Sequence, residues 1–574
     1  MRVRFDRFYT YAELTETLEA WASEFPNLLR LESIGSSYEG RDLWLATVTN
    51  LESGPPEEKP AVFLHAQIHA IEFTGTTAAL HLLDRLLHGY GDDERVTRAL
   101  DTRCFYVVPR TNPDGPDAAL ADGRFRRSSV RPYPRDEPED GLHRDDVDGD
   151  GRVLFMRMRD PNGFWKAHPD DPRLLVARRP DDMDGDFFRV MPEGTIRNWD
   201  GVTIPIAPAF EGLDLNRNWP ADWAPEGEQL GAGPYPVSEP EVRALVQAIV
   251  DRPNITSYVG YHTFSGVYLR PYSARADDDF PTTDLRAFKL MGEEATRLTG
   301  YPAISIFHDF KYDPKMVIRG GDIDWIYDHL GAFAWVTEFW SPQRTAGLSE
   351  YHFIDWIRDH PPEDDLALIT LADELGEGYV DWYAFEHPQL GQVELGGWDL
   401  LRFWFNPPLS RLEQEIAPHA DFALFLALVS PRLEVRSFEA TPAGEGAYRL
   451  RLVLENTGWL PTQVTQKALD RKAVRPIEVE LELPDGARLV TGKVREEAGQ
   501  LEGAGLNGGR SSGGTSTTRR ATGRRSTGWS RPPRASGSAS LPVTCAPGPC
   551  APSSRSERRG QSSFCMCTSS GSKA

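Results

Sequence analysis

Over its first 430 residues the chain alternates short apolar runs with amphipathic stretches, and this rhythm limits the folds open to it. "DLWLATVT", "AVFLHAQI", "CFYVVP", "ITSYVGYH" and "AFAWVTEF" read as strands, mostly apolar throughout. Between them, "YAELTETLEAWASEFP", "TGTTAALHLLDRLLHG" and "EPEVRALVQAIVD" place apolar residues at helical spacing. Strands alternating with helices predict an α/β fold with a mixed, largely parallel sheet flanked by helices. Residues 116–215, rich in Pro, Asp, Arg and Gly, interrupt the rhythm and read as a long, partly ordered insertion near the functional face.

The pattern changes near residue 431. "LEVRSFEA", "YRLRLVLEN", "IEVELELPDG" and "ARLVTGKV" alternate apolar and polar residues, which predicts a small, incomplete β-sandwich over 431–500. Residues 501–574 carry eleven Lys and Arg against two Asp and Glu, so this segment is +9 while the rest of the chain is −32. Its Ser-, Gly-, Arg- and Pro-rich composition predicts a disordered basic tail. It is also the composition expected of a reading-frame shift that replaced the last strands. Four of the five cysteines lie there, and Cys104 stands alone in the apolar "RCFYVVP" as a buried thiol. With no disulfide framework possible in the body of the chain and no signal-like or membrane-spanning apolar run, the expected location is cytoplasmic. A net charge of −23 argues against nucleic acid as a partner. Oligomeric state is not legible.

Residues 65–73, "HAQIHAIEF", follow a strand-like run directly. His69 and Glu72 stand three apart, a spacing that brings both to one face of a helical turn and suits zinc. His65 lies four residues earlier in the extended part and reads as a core residue or one behind the ligands. By itself His-x-x-Glu is weak. A third ligand must come from far along the chain, and His262 ends its strand as His69 follows its own; open α/β sheets build sites at such carboxyl ends. Glu338 closes the apolar "GAFAWVTEF", where a carboxylate is costly unless used or paired, and reads as a general base.

Taken together these residues resemble the zinc carboxypeptidase family of the carboxypeptidase A type. The resemblance runs through "IGSSYEGR" (34–41), "HAIE" (69–72), "NPDG" (112–115), "GLDLNRNWP" (212–220), "GPYPVSEPEVRAL" (233–245), "YHTFSG" (261–266) and "TEFW" (337–340), in that order. It implies one Zn2+ per chain on His69, Glu72 and His262, with Glu338 as base and then acid toward a zinc-activated water. It implies that Arg217, with Asn216, grips the C-terminal carboxylate of a peptide, a task suited to a planar guanidinium. A surface ion pair is the alternative for Arg217. An oxyanion-stabilising arginine is implied between the "NPDG" turn and the "NRN" motif; spacing points to Arg127, with Arg126 and Arg157 as rivals. Ile323 falls where the terminal side chain is read, which implies apolar or aromatic C-terminal residues. The family's tyrosine before the "GGxIDW" segment is replaced by Met316, and Tyr312 is the substitute at hand. Domains follow: a catalytic domain over 1–430 containing the insertion, the β domain, and the tail.

The implied activity is hydrolysis of C-terminal peptide bonds. The alternative is a zinc amidohydrolase that deacylates N-acyl amino acids; either way the substrate is a peptide or small amide with a free C-terminal carboxylate. Separately, "DVDGDGRV" (146–153) sets Asp146, Asp148 and Asp150 at alternate positions, as in a Ca2+ loop, or simply as a solvated acidic turn.

Overall fold

The computed structural model describes residues 2–348, 352–444, 447–484 and 487–505, and the backbone of 536–541. The predicted disordered tail, with Cys545, Cys550, Cys565 and Cys567, falls largely outside them. The chain divides into two compact units, Met1–Ala427 and Leu428–Ala574. No helix among the described residues is long and apolar enough to cross a membrane.

The first unit is built on an eight-stranded sheet. Its strands, in chain order, are β1 (Leu29–Ser36), β2 (Asp42–Val48), β3 (Ala61–Ala66), β4 (Cys104–Val108), β5 (Ile255–Thr263), β6 (Val267–Arg270), β7 (Ala303–Ser305) and β8 (Phe333–Phe339). Their spatial order is β1-β2-β4-β3-β5-β8-β6-β7. The central four, β4-β3-β5-β8, run parallel, and β1, β2 and β6 join through antiparallel pairings. Every residue of β3, β4 and β8 is buried, the condition of a parallel sheet covered on both faces. Helices Tyr11–Glu24, Thr74–Gly89, Pro240–Val250 and Thr282–Thr299 carry apolar faces such as Leu14, Leu18 and Trp21 into the core. The α/β fold with a mixed, largely parallel sheet is therefore present.

Between β3 and β5 the strand order turns back: the chain leaves β3 toward β4 and later enters β5 on the other side. Loops from the carboxyl ends of these two strands diverge there and leave a crevice. Register then places the chemistry. His262 of β5 lies beside Glu338 of β8, and Gly260 beside His65 of β3. Since side chains alternate across a strand, Gly260 and His262 share one face.

The stretch 116–215 is not the partly ordered excursion its composition suggests. Strands Phe155–Arg159, Trp165–Ala167, Leu175–Ala177 and Phe187–Pro192 join Tyr379–His387 and Gly391–Trp398 in a six-stranded antiparallel sheet. Leu142, Met156, Met191, Ile196, Val393 and Leu395 give it a core of its own. Two of those six residues, Val393 and Leu395, lie more than 190 residues further along the chain, so local composition could not reveal the whole core.

In the second unit Leu433–Gly444 pairs with Ala447–Asn456, which also pairs with Ser536–Leu541. Ile477–Glu480 pairs with Arg495–Gly499. "ARLVTGKV" forms no strand despite its alternation: Val490 and Val494 stay exposed, and strands need a partner as well as a pattern.

Candidate active site

The crevice is assembled by backbone bonds from three segments. Thr111 and Asn112 donate from their N–H groups to the carbonyls of Ala66 and Gln67, extending the β3–β4 pairing into the loops. The Asn112 side chain donates to the Ser128 carbonyl at 2.7 Å, and Ala70 N–H donates to the Arg127 carbonyl at 2.9 Å. Gly115 permits this approach, since a Cβ there would stand 2.2 Å from the Ser128 carbonyl oxygen. The "NPDG" turn thus clamps the "HAIE" turn against the segment carrying Arg127.

His69 and Glu72 do not lie in the helix that follows. They sit in a turn closed by Glu72 N–H to the His69 carbonyl, and the helix begins at Thr74. His69 Nδ1 lies 2.8 Å from Glu72 Oε1, His262 Nδ1 lies 3.1 Å from His69 Nδ1, and 3.1 Å from Glu72 Oε2. All three residues are buried. Glu72 Oε2 makes no hydrogen bond, despite its nearness to His262. Two imidazole nitrogens and a carboxylate pointing at one small volume suit a tetrahedral Zn2+ with an open position. Burial opposes charge on Glu72, but the two histidines hold its carboxyl far below the usual range.

Glu338 reaches the same crevice from β8. Burial, and the Glu72 carboxylate nearby, push its carboxyl well above the usual range, with His262 pulling the other way. The residues converge on a cleft that opens to solvent. His69, His262, Glu338, Arg127, Asn216, Arg217 and Ile323 all line it.

Of the three arginines weighed for the oxyanion, Arg127 lines the cleft. Arg126 is paired to Asp122 through both terminal nitrogens. Arg157 lies in the added sheet, paired to Glu394 at 2.8 Å and stacked between Phe188 and Trp382. Arg217 is not a free surface ion pair: its Nη1 donates to the Asn216 carbonyl at 2.7 Å. Gly320, at φ +67°, makes room for it, since a Cβ there would meet the Arg217 carbonyl oxygen at 2.2 Å. Asn216 Oδ1 accepts from Asp322 N–H at 2.9 Å, which fixes the side chain at the cleft wall. Tyr312 lines the cleft mouth, 56 % exposed, whereas Met316 does not line it.

Sequence reasoning passed over two carboxylates. Asp214, inside the quoted "GLDLNRN", lies 3.1 Å from His69 Nε2 through Oδ1 and accepts from Arg127 Nε at 2.9 Å through Oδ2. Arg127 and Arg217 hold its carboxyl well below the usual range against the effect of burial. Asp322, in "GGDIDW", accepts from His65 Nε2 at 3.1 Å and Tyr258 hydroxyl at 2.9 Å. Burial raises its pKa, but these bonds bring it down to about 2. The signal available was an acid set among apolar neighbours in each motif. His65 is fully buried behind the ligands, its Nδ1 accepting from the Thr111 hydroxyl.

The calcium expectation is not supported. Asp146 accepts from Gly149 and Gly151 N–H, Asp148 from Asp150 N–H and the Tyr383 hydroxyl, and Asp150 from Arg152 N–H. The buried acid beside Asp146 and Asp148 is Glu193, not Asp150, and both its oxygens accept backbone N–H groups. These carboxylates hold the turn's own backbone.

A family model described as zinc carboxypeptidase matches residues 14–356. The chain belongs to the zinc carboxypeptidase family. Carboxypeptidase A2 of Rattus norvegicus is 24% identical over 336 residues, covering 56% of this chain and 60% of the relative. Carboxypeptidase B of Astacus astacus is 24% identical over 283 residues, covering 49% and 70%. A zinc carboxypeptidase of Saccharothrix mutabilis subsp. capreolus is 30% identical over 119 residues, covering 21% and 27%. The match thus spans about 60% of the length of the rat relative. Residues 432–536 match a second model, a domain of unknown function.

Proposed function

We propose that this chain is a zinc-dependent carboxypeptidase that removes C-terminal residues from peptides. The observation that carries the reading is the meeting of His69, Glu72 and His262 beside Glu338, in one cleft with two arginines. His69, Glu72 and His262 would hold the ion. Zinc, when bound, lowers the pKa of water and polarises a carbonyl.

The chain's own groups do the rest. Arg217 and the Asn216 amide donors receive the terminal carboxylate and so fix which bond lies at the metal. Ile323, with Leu269, Ile306, Ile318 and Val336, lines the cleft with apolar side chains, which favours apolar or aromatic terminal residues. Glu338 takes a proton from the attacking water on its carboxylate and returns it to the leaving amine. Arg127, held by Asp214, offers a preorganised cation to the developing oxyanion. The Tyr312 phenol at the mouth serves as a donor to bound peptide. Residues 1–430 form the catalytic domain in this reading, with 116–215 as its insertion and 431–500 as a separate β domain.

The test is digestion of a peptide library read by mass spectrometry, with and without a chelator. Stepwise loss of C-terminal residues that stops on chelation supports the reading. Activity confined to N-acyl amino acids, with peptides left whole, overturns it.

A further inference from the structure

We propose that Asp322 is a positioning residue for His262: its carboxylate orients the His262 ring so that Nδ1 faces the metal. This rests on His262 being a zinc ligand. A neutral imidazole that offers Nδ1 to a metal carries its proton on Nε2, and that buried N–H needs an acceptor. His69 has one, since its Nε2 lies 3.1 Å from Asp214. His262 Nε2 is buried and makes no hydrogen bond.

Asp322 is the acid that faces it. Ligand-type atoms of His65, His262 and Asp322 all lie within 4.8 Å of one another. Gly260 stands between them. A Cβ at that position would lie 2.9 Å from His65 Nε2, 3.2 Å from Asp322 Oδ2 and 3.4 Å from His262 Nε2. Three polar atoms therefore look onto one small space, which the missing side chain of Gly260 keeps open. A small ring rotation, or one bridging water, closes the contact.

Charge points the same way. Asp322 is 1 % exposed. It accepts from His65 Nε2, the Tyr258 hydroxyl and Ile323 N–H, bonds that favour the ionised form. Among the described residues its one ion-pair partner is His65. The Thr111 hydroxyl bonded to His65 Nδ1 and the acid at Nε2 are both satisfied by a neutral ring. A buried carboxylate without a cation is costly. Positive charge delivered through His262 offsets that cost, so acid and ligand support each other. The two metal-binding histidines would then each be backed by one carboxylate, Asp214 for His69 and Asp322 for His262.

The experiment compares the full-length protein with Asp322→Asn and Tyr258→Phe. Zinc affinity is read by competition with a chelating indicator, and ligand geometry by the visible spectrum of the cobalt-substituted protein. Asp322→Asn is expected to weaken zinc binding about 10- to 100-fold and shift the cobalt spectrum. Zinc affinity within about twofold of wild type, with an unchanged spectrum, overturns the proposal. Should Asp322→Asn fail to fold, Tyr258→Phe decides: it removes a donor from Asp322 and nothing from the metal. A shifted cobalt spectrum with zinc binding at least about threefold weaker is expected there; wild-type values overturn the proposal. Two metals per wild-type chain also overturn it, since His262 Nε2 would then be a ligand to a second ion. A wild-type chain that binds no zinc refutes the carboxypeptidase reading itself, and this inference with it.

Discussion

Asp214→Asn is the substitution that most sharply tests how the site is held. Asp214 presents two oxygens to three donors: Oδ1 to His69 Nε2 at 3.1 Å and Asn216 N–H at 2.9 Å, Oδ2 to Arg127 Nε at 2.9 Å. An asparagine keeps one oxygen and turns an NH2 group toward a donor. If the oxygen stays with His69, Arg127 loses its anchor. If the amide flips, the His69 N–H is left buried and unpaired. Either arrangement forfeits a charge-assisted hydrogen bond of about 1.5–3 kcal/mol. Loss of a carboxylate behind a ligating histidine typically costs 10- to 100-fold in metal affinity, or about 1.4–2.7 kcal/mol. We therefore expect zinc affinity, measured by indicator competition, to fall within that range. We expect kcat/KM on a peptide to fall further than metal loss explains when zinc is saturating, because Arg127 is no longer fixed. Zinc affinity within twofold of wild type, with unchanged kcat/KM, would refute the account of Asp214 as the link between ligand and arginine.

Glu338→Gln should still bind zinc but lose about 10²- to 10⁴-fold in kcat/KM, the usual size of an acid–base contribution; near-normal hydrolysis removes Glu338 from that role. A chelator should abolish turnover and lower the melting temperature, because zinc at 100 times its Kd stabilises the folded state by about 2.7 kcal/mol; a melting curve indifferent to zinc counts against a folded, closed site. Gly320→Ala forces a Cβ onto the Arg217 carbonyl oxygen, so KM for peptides should rise well beyond any change in kcat; unchanged KM shows that this glycine does not seat Arg217. Away from the cleft, burial and the nearby Asp114 and Glu239 push the Glu241 carboxyl up to about 7. Its folded pKa lies above the usual 4.5, so the protein loses stability as pH rises from about 4.5 to about 7. Glu241→Gln should then melt higher than wild type at pH 8, by up to about 3 kcal/mol, and show little gain at pH 4.5; a gain independent of pH would contradict this.

How much of this could be read before folding depends on the range of each interaction. The alternation of strand and helix needs only local periodicity, and it announced the α/β core. His262 and Glu338 were legible because each ends an apolar strand where a polar group is conspicuous. Arg127 could not be separated from Arg126 and Arg157 by spacing. Only the folded chain pairs one rival with Asp122, stacks the other between two aromatic rings, and leaves Arg127 at the cleft. The insertion was misjudged for a related reason, since its sheet is completed by a distant partner: Phe155–Arg159 pairs with Gly391–Trp398.

Residue type and local order alone determined which groups could bind a metal, carry a proton or grip a carboxylate, because those capacities belong to the side chains themselves. Which atoms meet was decided in three dimensions. The register of β3, β5 and β8 sets His65 behind His262, with Gly260 leaving the space between. Asp214 joins a histidine 145 residues away to an arginine 87 residues away. Such contacts come from the packing of distant segments, and no stretch of sequence records them.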